Sequence, residues 1–205
     1  MASMVEATQV ERSDARTIVV SGIKLGVVTA VSVVVYALTS RAMSGSAATI
    51  VQTLMLLTGG AIFAYGPSHF VKPRSVDSIA WAAMVGLMGA LAFTVIDTAA
   101  LRPLHIYSWK WDAIGGGSGM WYIPVWWMGS AFVAWLGGWV TATAARSNPN
   151  PGLGATALPT VGIAIVVFAV LAATGVAPFH QGTAALSFAL GLVIHALTTA
   201  FFNRR

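Results

Sequence analysis

Six apolar stretches dominate the chain, each long enough to cross a bilayer core, which takes about 20 apolar residues in a helix. They run from about Thr17 to Leu38, Ala47 to Tyr65, Ser78 to Leu101, Trp121 to Ala145, Pro159 to Val176 and Gly182 to Phe202. The breaks between them differ in chemistry. Ser44-Gly45-Ser46 reads as a turn, and Gly66-Pro67-Ser68 reads as the end of the second helix. Ser147-Asn148-Pro149-Asn150-Pro151-Gly152 is the strongest loop, because two prolines remove donors and fix φ. Ala177-Pro178-Phe179-His180-Gln181-Gly182 reads as a tight hairpin, which makes the last two spans antiparallel neighbours. No internal repeat is evident, which disfavours an inverted-repeat transporter.

The pattern predicts an all-α integral membrane protein with about six transmembrane helices. Residues 1–16 form a short polar tail, and residues 17–205 form a single transmembrane domain. Composition agrees. The chain is 57% hydrophobic and 8% charged, against about 25% charged in soluble domains, so its solvent must be lipid. The net charge of +5 does not point to nucleic acid, since the basic residues are scattered rather than gathered on one face. They read instead as flanks of spans. Arg12, Arg16, Lys72, Arg74, Arg146, Arg204 and Arg205 fall on one predicted side, and Arg41, Arg102 and Lys110 on the other. By the positive-inside rule, both termini are expected in the cytoplasm of a cell (inner or plasma) membrane. The first span is expected to be uncleaved, because the polar, mixed-charge leader lacks the form of a secretory signal. With no cysteine, neither a disulfide nor a thiolate ligand is available.

One loop breaks the apolar monotony. Seven of eight tryptophans lie between Trp109 and Trp139, around a run containing Gly115, Gly116, Gly117 and Gly119. Indole and phenol rings favour the membrane–water boundary. The segment from Arg102 to Met120 is too short to cross as a helix and return. It is expected to lie on the outer face as an interfacial or re-entrant loop, held only where protein or water satisfies its backbone. His105, Tyr107, Trp109, Trp111, Trp121, Tyr122, Trp126 and Trp127 are its candidate ligand-binding residues. No P-loop follows the glycines.

Ionisable groups within spans each need a reason. Asp97, late in the third span, is either a general acid whose pKa is raised by burial or a carboxylate paired with Arg102 or bonded to the aromatic loop. Asp112 is the second candidate acid. Lys24 is read as snorkelling to the boundary, and Gly22 and Gly26 as a GxxxG step for close helix approach. His195 is read as hydrogen-bonded between helices in preference to a haem or metal ligand. Histidine spacing suggests no metal site, and the sequence names no cofactor. His105 and His180 share the outer side with Asp97, Asp112 and Arg102, and their convergence is left open. His69 is expected to be solvated.

Asp97, then Trp109-x-Trp111, then glycines, then Tyr122-Ile123-Pro124 leading into a span, resembles the pattern of bacterial integral-membrane carotenoid-biosynthesis hydratases. The match covers about thirty residues around Asp97–Pro124. It departs from the family at Ile123, where Gly-Val is usual, and after the proline, where Trp replaces a polar Asn. The resemblance implies that Asp97 protonates or hydrates an isoprenoid double bond while aromatic faces stabilise carbocation character.

Two functions are expected from different classes. The first is a membrane enzyme or binder for a hydrophobic isoprenoid or lipid, in an outward aromatic pocket. The second is a non-catalytic subunit of a larger membrane complex of pigment, electron-transfer or oxidase type. There the aromatics would pack on lipids, a pigment or other membrane subunits, and Gly86, Gly89, Ala90, Gly137 and Gly138 would take neighbouring helices. A transporter is disfavoured, because no polar stripe lines a path.

Overall fold

The computed structural model describes residues 14–107 and 122–202. Six helices follow in order: α1 (Ala15–Ala42), α2 (Gly45–Val71), α3 (Val76–Ile96), α4 (Tyr122–Ala144), α5 (Leu153–Ala173) and α6 (Gln181–Phe202). A π-helical turn, Asp97–Leu101, extends α3. No strand occurs among the described residues. All six helices, α3 with its extension, are long and apolar enough to cross a membrane, so the chain is a multi-pass helical membrane protein.

The helix starts have local causes. Asp14 caps α1, its carboxylate accepting from the Thr17 amide (2.8 Å) and the Thr17 hydroxyl (2.6 Å). These bonds hold the Asp14 carboxyl below its ordinary pKa, the Thr17 hydroxyl contributing most. Ser75 and Ser78 form a reciprocal capping box at the start of α3.

Two boundaries differ from expectation. The second helix does not stop at Gly66-Pro67-Ser68 but continues to Val71, with Pro67 buried inside it. Proline forfeits one backbone donor, a small loss when the residue lies in the last turns and packs at an interface. The stop comes at Lys72, whose left-handed backbone (φ 54°) ends the helix, its amide donating to the Ser68 carbonyl. Likewise α5 begins at Leu153 and carries Pro159 within its second turn.

Helix α2 touches all five other helices and forms the axis of the bundle. One apolar core joins it to α4, α5 and α6 through Leu57, Tyr65, Leu136, Val140, Ala164, Phe188 and Leu192. A second joins it to α1 and α3 through Ile18, Leu25, Val71 and Val85. Close approach depends on small residues. A Cβ on Gly22 would sit 2.3 Å from Met88 Cβ, and one on Gly26 would sit 2.6 Å from Ala92 Cβ. The GxxxG step is therefore the α1–α3 contact. Gly86, Gly89 and Gly138 meet Ala134, Leu25 and Ala82 in the same way, so this small-residue face is used inside the chain. Helices α5 and α6 pack together across their hairpin. Large apolar side chains point outward on every helix, among them Ile23, Val31, Leu54, Met128, Phe132, Val166, Leu197 and Phe202. That arrangement suits lipid and not water.

Candidate functional site

The end of α3 carries the one ion pair found among the described residues. Arg102 Nε donates to Asp97 Oδ2 at 2.7 Å. In an α-helix, residues three and four apart face each other, and residues five apart do not. The π turn removes that obstacle. Its i→i+5 bond, from the Arg102 amide to the Asp97 carbonyl (2.9 Å), widens the turn and sets Arg102 above Asp97. The Tyr107 hydroxyl donates to the other oxygen, Asp97 Oδ1. Asp97 is 4% exposed, and its charge at this depth is therefore matched on both oxygens.

The segment that follows is tied down from outside as well. Arg41, in the last turn of α1, donates through one guanidinium nitrogen to the carbonyls of His105 (2.8 Å) and Ile106 (2.7 Å). His105 has a left-handed backbone, φ 50°, uncommon outside glycine. The clamp and the ion pair together hold the chain in that reversal. The Trp127 indole N–H donates to the Thr94 hydroxyl (3.1 Å), so the start of α4 is pinned to the end of α3.

The predicted site residues divide three ways. Asp97, Tyr107 and Trp127 come together at the α3–α4 end. Trp126, beside Trp127 on the second turn of α4, is about half exposed; Tyr122 opens that helix. The rings of His105 and His180 turn back on their own loops, His105 Nδ1 against the Pro103 carbonyl (3.0 Å) and His180 Nδ1 accepting from the Gly182 amide (3.1 Å). Trp109, Trp111, Asp112 and Trp121 lie outside the described residues. No group of three or more possible metal-binding His, Asp or Glu side chains occurs among the described residues.

Lys24 is exposed on the outer face of α1, turned away from α3. His195 is hydrogen-bonded between helices, as expected: its Nδ1 meets the Thr160 hydroxyl at 2.8 Å and the Tyr65 hydroxyl at 3.4 Å. A further polar cluster was not anticipated. Gln181 donates to Gln52, which donates to Ser40 (3.1 Å), linking α6, α2 and α1 near one end of the bundle. Gln52, inside the second apolar stretch, was the available signal, since it must find a partner in lipid.

No family model, curated protein or solved structure matches the chain.

Proposed function

We propose that this protein binds an apolar isoprenoid or other lipid-like molecule at the α3–α4 end of the bundle. Tyr107, Trp126 and Trp127 would face that molecule. The supporting observation is the buried Asp97 carboxylate with Arg102 on one oxygen and Tyr107 on the other. A carboxylate so engaged is an anchor. It holds the chain leading into the aromatic segment, and the Trp126 ring near the start of α4 is about half exposed. Binding is therefore favoured over proton donation by Asp97. The hydratase resemblance adds a catalytic version, in which Asp97 would take up a proton as Arg102 withdraws.

Native mass spectrometry of the protein, extracted gently from its source membrane, tests this. A bound polyene, terpenoid or lipid lost in Trp126→Ala and Trp127→Ala supports the reading; a preparation carrying no such molecule overturns it. A folded Asp97→Asn variant that turns over an isoprenoid substrate as fast as the parent would sink the catalytic version.

A second reading, as a subunit of a membrane complex, draws on α4. Met128, Phe132 and Trp135 are exposed along one stripe, the rings of Phe132 and Trp135 stacked at 6.1 Å. A stoichiometric foreign subunit in the same experiment would favour it. Sidedness, with both termini cytoplasmic and the α3–α4 end facing out, rests on the distribution of Lys and Arg.

A further inference from the structure

A second polar site lies at the opposite end of the bundle, where Tyr65 of α2, Thr160 of α5 and His195 of α6 meet. Each is six or seven residues from the end of its helix on that side, about 10 Å along the axis. Gly191 brings α5 and α6 together one turn before His195; a Cβ there would lie 3.0 Å from the Thr160 carbonyl oxygen.

Proton counting sets the state of the imidazole. Tyr65 Oη and Thr160 Oγ1 are 2.5 Å apart, Thr160 Oγ1 and His195 Nδ1 are 2.8 Å apart, and both hydroxyl residues are sealed from outside, at 1% and 0% exposure. If Nδ1 carried the proton, three protons would share two contacts, and the hydroxyl proton of either Tyr65 or Thr160 would have no acceptor. A sealed, unpaired hydroxyl costs about 1–3 kcal/mol. In the reverse order every proton is used: Tyr65 donates to Thr160, Thr160 donates to Nδ1, and the ring proton sits on Nε2. The hydrogen bonds of His195 all use Nδ1. Nε2 is not among the enclosed side-chain polar atoms left without partners, which among the described residues are those of Thr53, Ser68 and Trp139. With His195 itself half-buried, Nε2–H reaches the surface of the bundle.

We infer that His195 Nε2–H is a hydrogen-bond donor site for a carbonyl oxygen in the membrane interior. A metal or haem ligand would need a bare Nε2, which the Tyr65–Thr160 relay disfavours. The carbonyl has two sources, a membrane-dissolved quinone-type molecule or a lipid acyl ester. A 22-residue helix is about 33 Å long and the hydrocarbon core about 30 Å thick, which sets His195 about 8 Å below the rim. Ester carbonyls sit at the rim, so depth favours the free molecule.

The test is nitrogen-15 NMR of the full-length chain in nanodiscs of ester-linked or ether-linked phosphatidylcholine, titrated with decylbenzoquinone. The expected result is the Nε2–H tautomer, with a resonance that shifts saturably with quinone in ether-linked discs. His195→Leu should weaken quinone binding roughly tenfold, and His195→Gln, which keeps an N–H at that position, by less than about threefold. A shift on changing ether to ester lipid, without a quinone response, assigns the site to the acyl carbonyl. The Nδ1–H tautomer, or a resonance silent to both carbonyl sources, overturns the inference. These spectra decide the matter even where His195→Leu does not fold.

Discussion

Asp97 shows how one charge is accommodated at membrane depth. Its two oxygens are engaged by a guanidinium and a phenol, so removing either partner exposes a cost the other cannot absorb. Asp97→Asn keeps the shape and an acceptor for Tyr107 but removes the carboxylate charge that Arg102 Nε meets. Because Arg102 is about one-third exposed, the loss should be about 1–3 kcal/mol, below that of a fully sealed pair. Denaturant unfolding in detergent measures it. Combining Asp97→Ala with Arg102→Ala should give non-additive losses, the double variant falling short of the sum of the singles.

Asp14 makes the opposite case, a fully exposed carboxylate acting through local bonds. Its folded pKa is depressed, so its contribution to the first turn of α1 is present above the unfolded pKa and lost as pH falls through the folded value. The protection of the Thr17 amide, its exchange rate relative to that of an unstructured amide at the same pH, should therefore fall on acidification. Asp14→Asn, which keeps a capping oxygen, should remove that pH dependence.

At the scale of elements, helix approach is set by backbone contact and not by matched apolar stripes. A Cβ on Gly137 would lie 2.0 Å from the Ala64 carbonyl oxygen. A backbone atom cannot move aside as a side chain can, so Gly137→Ala must part α4 from α2. A loss of about 2–3 kcal/mol is expected in the same unfolding assay. Gly59, also on α2, has open space around the same position, and Gly59→Ala should change stability by less than about 1 kcal/mol. Equal effects at the two sites would mean that α2 and α4 do not meet as described.

At the scale of the molecule, α2 is central because every other helix packs on it, and polar clusters lie at both ends of the bundle. Asp97, Arg102 and Arg41 hold one end, and Tyr65, Thr160 and His195 sit toward the other. The cysteine-free sequence makes sidedness simple to measure. Asn148→Cys, in the α4–α5 turn, should react with an impermeant maleimide only from the cytoplasm, and Val176→Cys, in the α5–α6 turn, only from outside. The reverse pattern would invert the orientation.

The sequence alone was enough for the class and the number of spans, because each apolar run had to find lipid and each span had to close its own backbone hydrogen bonds. It also bore directly on three local contacts, the Gly22–Gly26 approach, the His195 bond between helices and the pairing of Asp97 with Arg102. Helix ends at Pro67 and Pro159 were misplaced because proline near a terminus costs little once its face is packed. Four matters were settled only by tertiary structure: the centrality of α2, the π turn that swings Arg102 onto Asp97, the Arg41 clamp, and the Tyr65–Thr160 partners of His195. In lipid, inward and outward faces are both apolar, so periodicity carries no record of which sides meet. A polar residue in a span announces that it needs a partner; nearness in sequence offered Arg102 for Asp97, whereas the partners of His195 lie on other helices and only the packed bundle names them.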